Sequence, residues 1–149
     1  AADLAHAAGV KVVLNPAPAA HLEDSLLSKL YALTPNETEC RILCGAEASD
    51  DDEANAAVLY NKGVKNVIVT LGDKGSMLYN AEGVVTVPAQ KVTAVDTVAA
   101  GDTYNGALCV ALSKGKSFVE AMEFATAASA IAVTRVGAQA SIPFASELK

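Results

Sequence analysis

Apolar residues fall in short runs along this chain, and these runs alternate with longer stretches of helical spacing. Val10 to Leu14 is a brief β-branched run, the pattern of a strand buried in a parallel sheet. Asn15-Pro16-Ala17-Pro18 ends it, because two prolines cannot continue a hydrogen-bonded ladder. Ser25 to Lys29 reads as a short helix and Tyr31 to Leu33 as another short strand. Thr34-Pro35-Asn36-Glu37 predicts a helix start, with Thr34 as the cap, Pro35 at the first helical position and Glu37 closing a capping box. Gly45 stops that helix. Ser49-Asp50-Asp51-Asp52 opens the next with three acids at the positive end of the dipole, and it runs to Lys62 before Gly63. Asn66 to Leu71 (NVIVTL) is the strongest strand pattern in the chain. After the turn Gly72-Asp73-Lys74-Gly75, Ser76 to Tyr79 and Val84 to Val87 form a hairpin around Asn80-Ala81-Glu82-Gly83. Lys91 to Val95 predicts a further strand. It leads through a small-residue loop into a helix over Asp102 to Ser113, which Gly115 ends. Ser117-Phe118-Val119-Glu120 is a second capping box. Its helix reaches Thr134, and Ala125 to Val133 is so uniformly small or apolar that it is buried on most faces. Val136 to Ile142 is a loop, and a short terminal helix begins near Phe144.

Strands alternating with helices, apart from one hairpin, predict a Rossmann-like three-layer α/β/α sandwich around a mostly parallel sheet. Residues 1–149 contain no repeat and no low-complexity linker, so they make one domain or part of one. Composition agrees: 52% of the residues are hydrophobic but only 5% aromatic, so the core is built from Val, Leu, Ile and Ala. A net charge of −6 without a basic stripe argues against nucleic acid. No apolar run approaches the ~20 residues of a membrane span, and no signal peptide is visible. The cysteines, Cys40, Cys44 and Cys109, are odd in number and have no metal-site spacing. They read as reduced thiols of a cytoplasmic protein, packed as small buried hydrophobes. His6 reads as a helix-surface residue and His21 as a loop residue. Ala1 to Ala8 has neither N-cap nor initiator Met and reads as the last turns of a longer helix.

The most informative chemistry lies in Val95-Asp96-Thr97-Val98-Ala99-Ala100-Gly101-Asp102-Thr103-Tyr104-Asn105-Gly106-Ala107-Leu108. It joins a tight small-residue loop to a helix start. The first N–H groups of a helix lack internal partners and sit at the positive end of its dipole. Ala99, Ala100 and Gly101 have almost no side chain, so a phosphate can approach the backbone. Asp102 then stands beside the anion, placed to accept a proton. Loops of this kind also serve merely to start helices. In α/β sheets ligands bind at the carboxyl ends of strands. Asn15 to Pro18, Asn36 to Glu39, Thr70 to Gly75 and Ala99 to Asp102 all fall there by this reading.

Taken in order, NPAP, TPNE, TLG-x-KG and AAGD, with the closing stretch Ala130 to Pro143 (AIAVTRVGAQASIP), resemble the C-terminal half of the pfkB family of carbohydrate kinases, in its ribokinase branch. The resemblance implies a truncated three-layer kinase domain that phosphorylates a sugar hydroxyl from ATP, with D-ribose converted to ribose 5-phosphate. It makes Asp102 the general base and the amides of Ala99, Ala100, Gly101 and Asp102 the anion hole. Asn36 and Glu39 match a pair acting near Mg²⁺ and the phosphates through water, although Glu39 alone also reads as a solvated helix acid. Thr70, Gly72 and Gly75 match the nucleotide loop. Thr126 falls near the adenine, where many relatives carry His or Asn. Asn105 matches the NG of the signature or simply bonds the loop backbone. A K⁺ site is implied at Asp96, Val98, Ala132, Arg135, Gly137 and Ser141, most of them through backbone carbonyls.

The family's N-terminal half, with its sugar-binding glycines and lid, has no counterpart in these residues. The expectation is therefore an isolated piece with little or no kinase activity, prone to associate with itself or with the missing half through strand edges such as Val67 to Leu71. Other sugars or nucleosides remain possible acceptors. A nucleotide-binding module without catalysis and a purely structural fragment are the competing readings.

Overall fold

The computed structural model describes residues 1–148. The elements are α1 (Ala2–Ala7), β1 (Val13–Leu14), α2 (Asp24–Leu27), β2 (Ala32–Leu33), α3 (Glu37–Cys44), α4 (Asp52–Asn61), β3 (Asn66–Thr70), β4 (Ser76–Asn80), β5 (Gly83–Val87), α5 (Ala100–Ser113) and α6 (Phe118–Ala132). The chain divides into two compact units. One holds Ala1–Leu71 with Met77–Thr86; the other holds Gly72–Ser76 and the chain from Val87 onward.

The first unit carries a five-stranded sheet in the order β1-β2-β3-β4-β5. β1 pairs with β2 in parallel (Val13 with Ala32), and β2 with β3 (Leu33 with Val67). Helices occupy the crossovers, as parallel pairing requires. β3, β4 and β5 follow through connections far too short for a crossover, so the sheet is mixed. α3 and α4 pack on β3. Leu27, Leu30, Leu33, Leu43, Leu59, Val64, Val67, Val69 and Met77 form the core with Cys40 and Cys44. Asn66 to Val69 are buried without alternation, as the run NVIVTL predicts. The buried Asn55 satisfies both ends of its amide on Ser49, whose N–H it accepts at 2.8 Å and whose carbonyl it donates to at 3.0 Å.

Three expectations fail in this unit. Val10 to Leu14 is strand only at Val13–Leu14 and is half-buried there; Val10 is exposed and donates its amide back to Ala5 O at 2.8 Å. The cap of α3 is Asn36, not Thr34: Asn36 Oδ1 accepts the Glu39 amide at 2.8 Å, and the Glu39 carboxylate accepts the Asn36 amide at 2.9 Å. The reason is non-local. Thr70 donates its amide to Pro35 O at 3.0 Å, and Asn36 bridges to Thr70, so the chain stays extended two residues longer. The next helix starts at Asp52 with Asp51 as cap, later than the acidic run alone indicates.

In the second unit α5 and α6 pack against each other. Leu108, Ala111, Ala121, Met122, Ala125, Ala128 and Ala132 are buried in it. Ser117 and Glu120 form the expected capping box of α6. Lys91 to Val95 is not a strand: all five residues are exposed and none of them pairs in a ladder. A β-branched run becomes a strand only where an edge accepts its backbone. Here Val95 and Asp96 instead donate their amides to Val133 O, at 2.7 and 3.2 Å. Cys109 is exposed on α5, a correction to its reading as a buried hydrophobe, whereas Cys40 and Cys44 are buried as expected. Burial, with Cys44 alongside, pushes the Cys40 thiol up to about 12.

Candidate functional site

In the second unit α5 begins from Ala99, which adopts φ 62° and ψ 9°. A non-glycine residue in the left-handed region costs about 1–2 kcal/mol and persists only where its surroundings impose it. The preceding turn supplies the constraint. Asp96 Oδ1 accepts the Val98 amide at 2.9 Å, and its Oδ2 accepts the Gly137 amide at 3.0 Å. Ala100 donates to Thr97 O at 3.2 Å. These two amide bonds hold the Asp96 carboxyl below its ordinary value of 3.8.

No side chain caps α5, and the first helical bond runs from Thr103 to Ala99 O. Among the described residues the amides of Gly101 and Asp102 have no acceptor. A left-handed residue followed by helical ones turns successive N–H groups to one side, a concavity suited to an anion. A Cβ on Gly101 would meet nothing within 4 Å, so the approach to these amides is open. The Asp102 side chain is exposed in this first turn. Asn105 donates its side-chain amide to Gly101 O at 2.9 Å, the backbone role that was one of its two readings.

Gly72 and Gly75 bound a short turn, with φ 57° and 109°. Gly75 is packed so closely that a Cβ would lie 2.1 Å from Val87 O. Thr126 is 7% exposed in α6, and among the described residues its hydroxyl has no hydrogen-bond partner. Ser129, one turn on, donates to Ala100 O at 3.1 Å, which ties α6 to the start of α5.

Of the six residues implied for K⁺, the structure joins Asp96, Val98 and Gly137 through the Asp96 carboxylate. Ala132 and Arg135 share the turn that ends α6, where the Arg135 amide donates to Ala132 O at 3.0 Å. The Arg135 guanidinium pairs with Glu147. Ser141 is fully buried and donates its hydroxyl to Ala138 O at 2.6 Å. Among the described residues no three His, Cys, Asp or Glu side chains form a metal cluster.

In the first unit Asn36, Glu39 and Thr70 meet at the carboxyl ends of β2 and β3, joined by the capping box and the Asn36–Thr70 bridge. Their polar atoms are partly used by that cap, which leaves one Glu39 oxygen for a water or an ion. Asn15, at the end of β1, donates to Thr34 O at 2.8 Å. Among the described residues no helix is long and apolar enough to cross a membrane.

The model of the pfkB family carbohydrate kinases matches residues 1–145. The chain belongs to that family. It is similar to the ribokinase of Haemophilus influenzae, with 50% identity over 145 residues, covering 96% of this chain and 47% of that protein. The crystal structure of Thermotoga maritima ribokinase superposes with a TM-score of 0.88 at 48% identity, covering 93% of this chain and 47% of that one. The Arabidopsis thaliana ribokinase complexed with ribose and ATP gives a TM-score of 0.88 at 35% identity, covering 95% and 47%. This pfkB chain thus spans about half the length of the relatives it matches, and it has the α/β kinase fold expected from its pattern of elements.

Proposed function

We propose that this pfkB chain supplies the nucleotide and general-base half of an ATP-dependent sugar kinase whose acceptor is ribose. The start of α5 carries this reading: two unpartnered amides, of Gly101 and Asp102, beside an exposed carboxylate. That is the chemistry phosphoryl transfer needs, namely donors fixed where negative charge develops and a base within reach of the attacking hydroxyl. The family membership and the ribose and ATP held by the Arabidopsis relative support the choice of donor and acceptor.

In this reading Asp102 takes the proton of the sugar hydroxyl as its oxygen attacks the γ-phosphate. The amides of Ala99 to Asp102 receive charge on the transferring group. Thr70, Gly72 and Gly75 border the nucleotide, and Thr126 backs its base. Glu39, with Asn36 orienting it, would hold a Mg²⁺ ion through water, and that ion would neutralise phosphate charge. The segments around Asp96–Val98 and Ala132–Ser141, joined by the Asp96 carboxylate, offer the carbonyl cage that suits K⁺. The Asp96 carboxylate also fixes the Val98 amide just before Ala99.

Ribose and ATP are supplied to the chain with Mg²⁺ and K⁺, ATP binding is read by calorimetry and ADP formation by a coupled assay. We expect ATP binding with little turnover, because the chain spans about half the length of the ribokinases it matches. We expect Asp102→Asn to lower any turnover by about 10²–10⁴ while leaving ATP affinity near its original value. Absence of ATP binding overturns the reading. Equal turnover by the Asn variant overturns the role of Asp102. Phosphorylation of a nucleoside in preference to ribose replaces the acceptor and keeps the chemistry.

A further inference from the structure

Tyr104 lies two residues beyond Asp102 in α5 and is 5% exposed. Its phenol donates to Ser76 Oγ at 2.7 Å, and Ser76 is fully buried. Burial pushes this phenol up to about 12, so it keeps its proton through the neutral range. Each hydroxyl is the other's partner within the second unit. Two residues along a helix turn the side chain by about 200°. Tyr104 therefore anchors the buried face of the first turns while Asp102 points away from it, and the anchor sets the roll of α5 that aims the carboxylate.

The other end of the bond is equally fixed. Ser76 follows Gly75 directly, and Gly75 is wedged against the backbone of Val87, Pro88 and Ala89, where a Cβ would come within 2.1, 2.8 and 2.6 Å respectively. Ala89 donates its amide to Lys74 O at 3.4 Å on the same side. The Gly72–Gly75 turn is thus held by backbone packing on one flank and by the Tyr104 phenol on the other. A phenylalanine at 104 would fill the ring's space and leave Ser76 Oγ buried and unpaired, which the surroundings cannot hydrate.

We propose that Tyr104 and Ser76 are positioning residues that lock the Gly72–Gly75 nucleotide turn to the first turn of α5, and so set ATP against Asp102. The proposal rests on the ATP reading above. Its test is ATP affinity of the full 149-residue chain and of Ser76→Ala, Tyr104→Phe and the double variant, measured well below each unfolding midpoint. Each single variant is expected to weaken ATP binding about tenfold, the equivalent of one buried hydrogen bond. The double variant is expected to lose no more than either single one, because the second change removes an already orphaned group. A purely structural bond would lower the melting temperature and leave ATP affinity unchanged, and that result overturns the proposal. Additive losses overturn it too, since they describe two independent contacts. Should Tyr104→Phe fail to fold, Ser76→Ala alone carries the test, as it deletes a single oxygen. If the unmodified chain does not bind ATP, both this proposal and the ATP reading fall. If it binds and the variants bind equally, only the lock falls.

Discussion

Gly72 and Gly75 bound the same short turn, yet alanine should be tolerated at one and not at the other. At Gly72 φ is 57°, and a Cβ would meet nothing within 4 Å. The cost is the left-handed penalty of about 1–2 kcal/mol, offset by about 0.4–1 kcal/mol from the stiffer unfolded chain. A net loss of about 1 kcal/mol follows. At Gly75 φ is 109°, and the Cβ would lie 2.1 Å from Val87 O, 2.6 Å from Ala89 N and 2.8 Å from Pro88 C. All three are backbone atoms, so no side chain can swing aside. The dihedral contributes about 1–3 kcal/mol and forced repacking another 1–3, together about 2–6 kcal/mol before the same unfolded-chain offset, against a typical total stability of about 5–15. Urea unfolding followed by far-UV circular dichroism measures both variants on one scale. A Gly75→Ala loss within about 1 kcal/mol of the Gly72→Ala loss would refute the steric argument, because the difference in φ between the two sites is worth no more than about that.

Two other outcomes follow from the same structure. Asp96 is held below its ordinary 3.8 by the Gly137 and Val98 amides, so the stability it contributes is full above that value and is lost as pH falls through its lowered folded-state value. Melting temperature should therefore drop on acidification more steeply in the parent than in Asp96→Asn; equal acid slopes would show that the two amide bonds do not favour the charged form. Cys109 is exposed while Cys40 and Cys44 are buried, so a thiol reagent should label Cys109 in the native chain and reach the other two only on unfolding. Peptide mapping after a short exposure checks this, and labelling of Cys40 at the rate of Cys109 would contradict the burial.

What was legible in the sequence was local. Ser117 and Glu120 lie three residues apart, and the box they form needs nothing beyond those residues. The run NVIVTL is dominated by β-branched apolar residues, and Asn66 to Val69 are buried on both faces. What was not legible depended on partners far along the chain. Thr34-Pro35-Asn36-Glu37 and Asn36-Glu37-Thr38-Glu39 both satisfy the capping pattern, and the choice is made by Thr70, which bonds Pro35 O. Lys91 to Val95 has strand composition, yet its neighbour Asp96 is drawn, with Val95, to Val133 O at the end of α6. The Tyr104–Ser76 bond joins positions 28 apart that carry no shared motif. The exposure of Cys109 was recoverable in part: it falls on the helix face of Gly106 and Val110, and that face is open.

The start of α5 shows why a short motif is not sufficient for such a site. The small side chains of Ala99, Ala100 and Gly101 allow close approach, but they do not direct the amides. Direction comes from Ala99 at φ 62°, a conformation its own Cβ disfavours. Isolated, the tetrapeptide Ala99-Ala100-Gly101-Asp102 would relax out of it. The chain holds it with Asp96, which bonds an amide two residues along and another 41 residues along, and with Ser129, which bonds Ala100 O from α6. The C-terminal stretch that carries Gly137 is therefore part of what shapes the proposed anion site. The Asp96 carboxylate thus ties the loop before α5 to the stretch after α6. Because these bonds all lie within the second unit, the amides of Gly101 and Asp102 are oriented without a ligand, and on the proposed reading an anion would not have to supply the energy of ordering them.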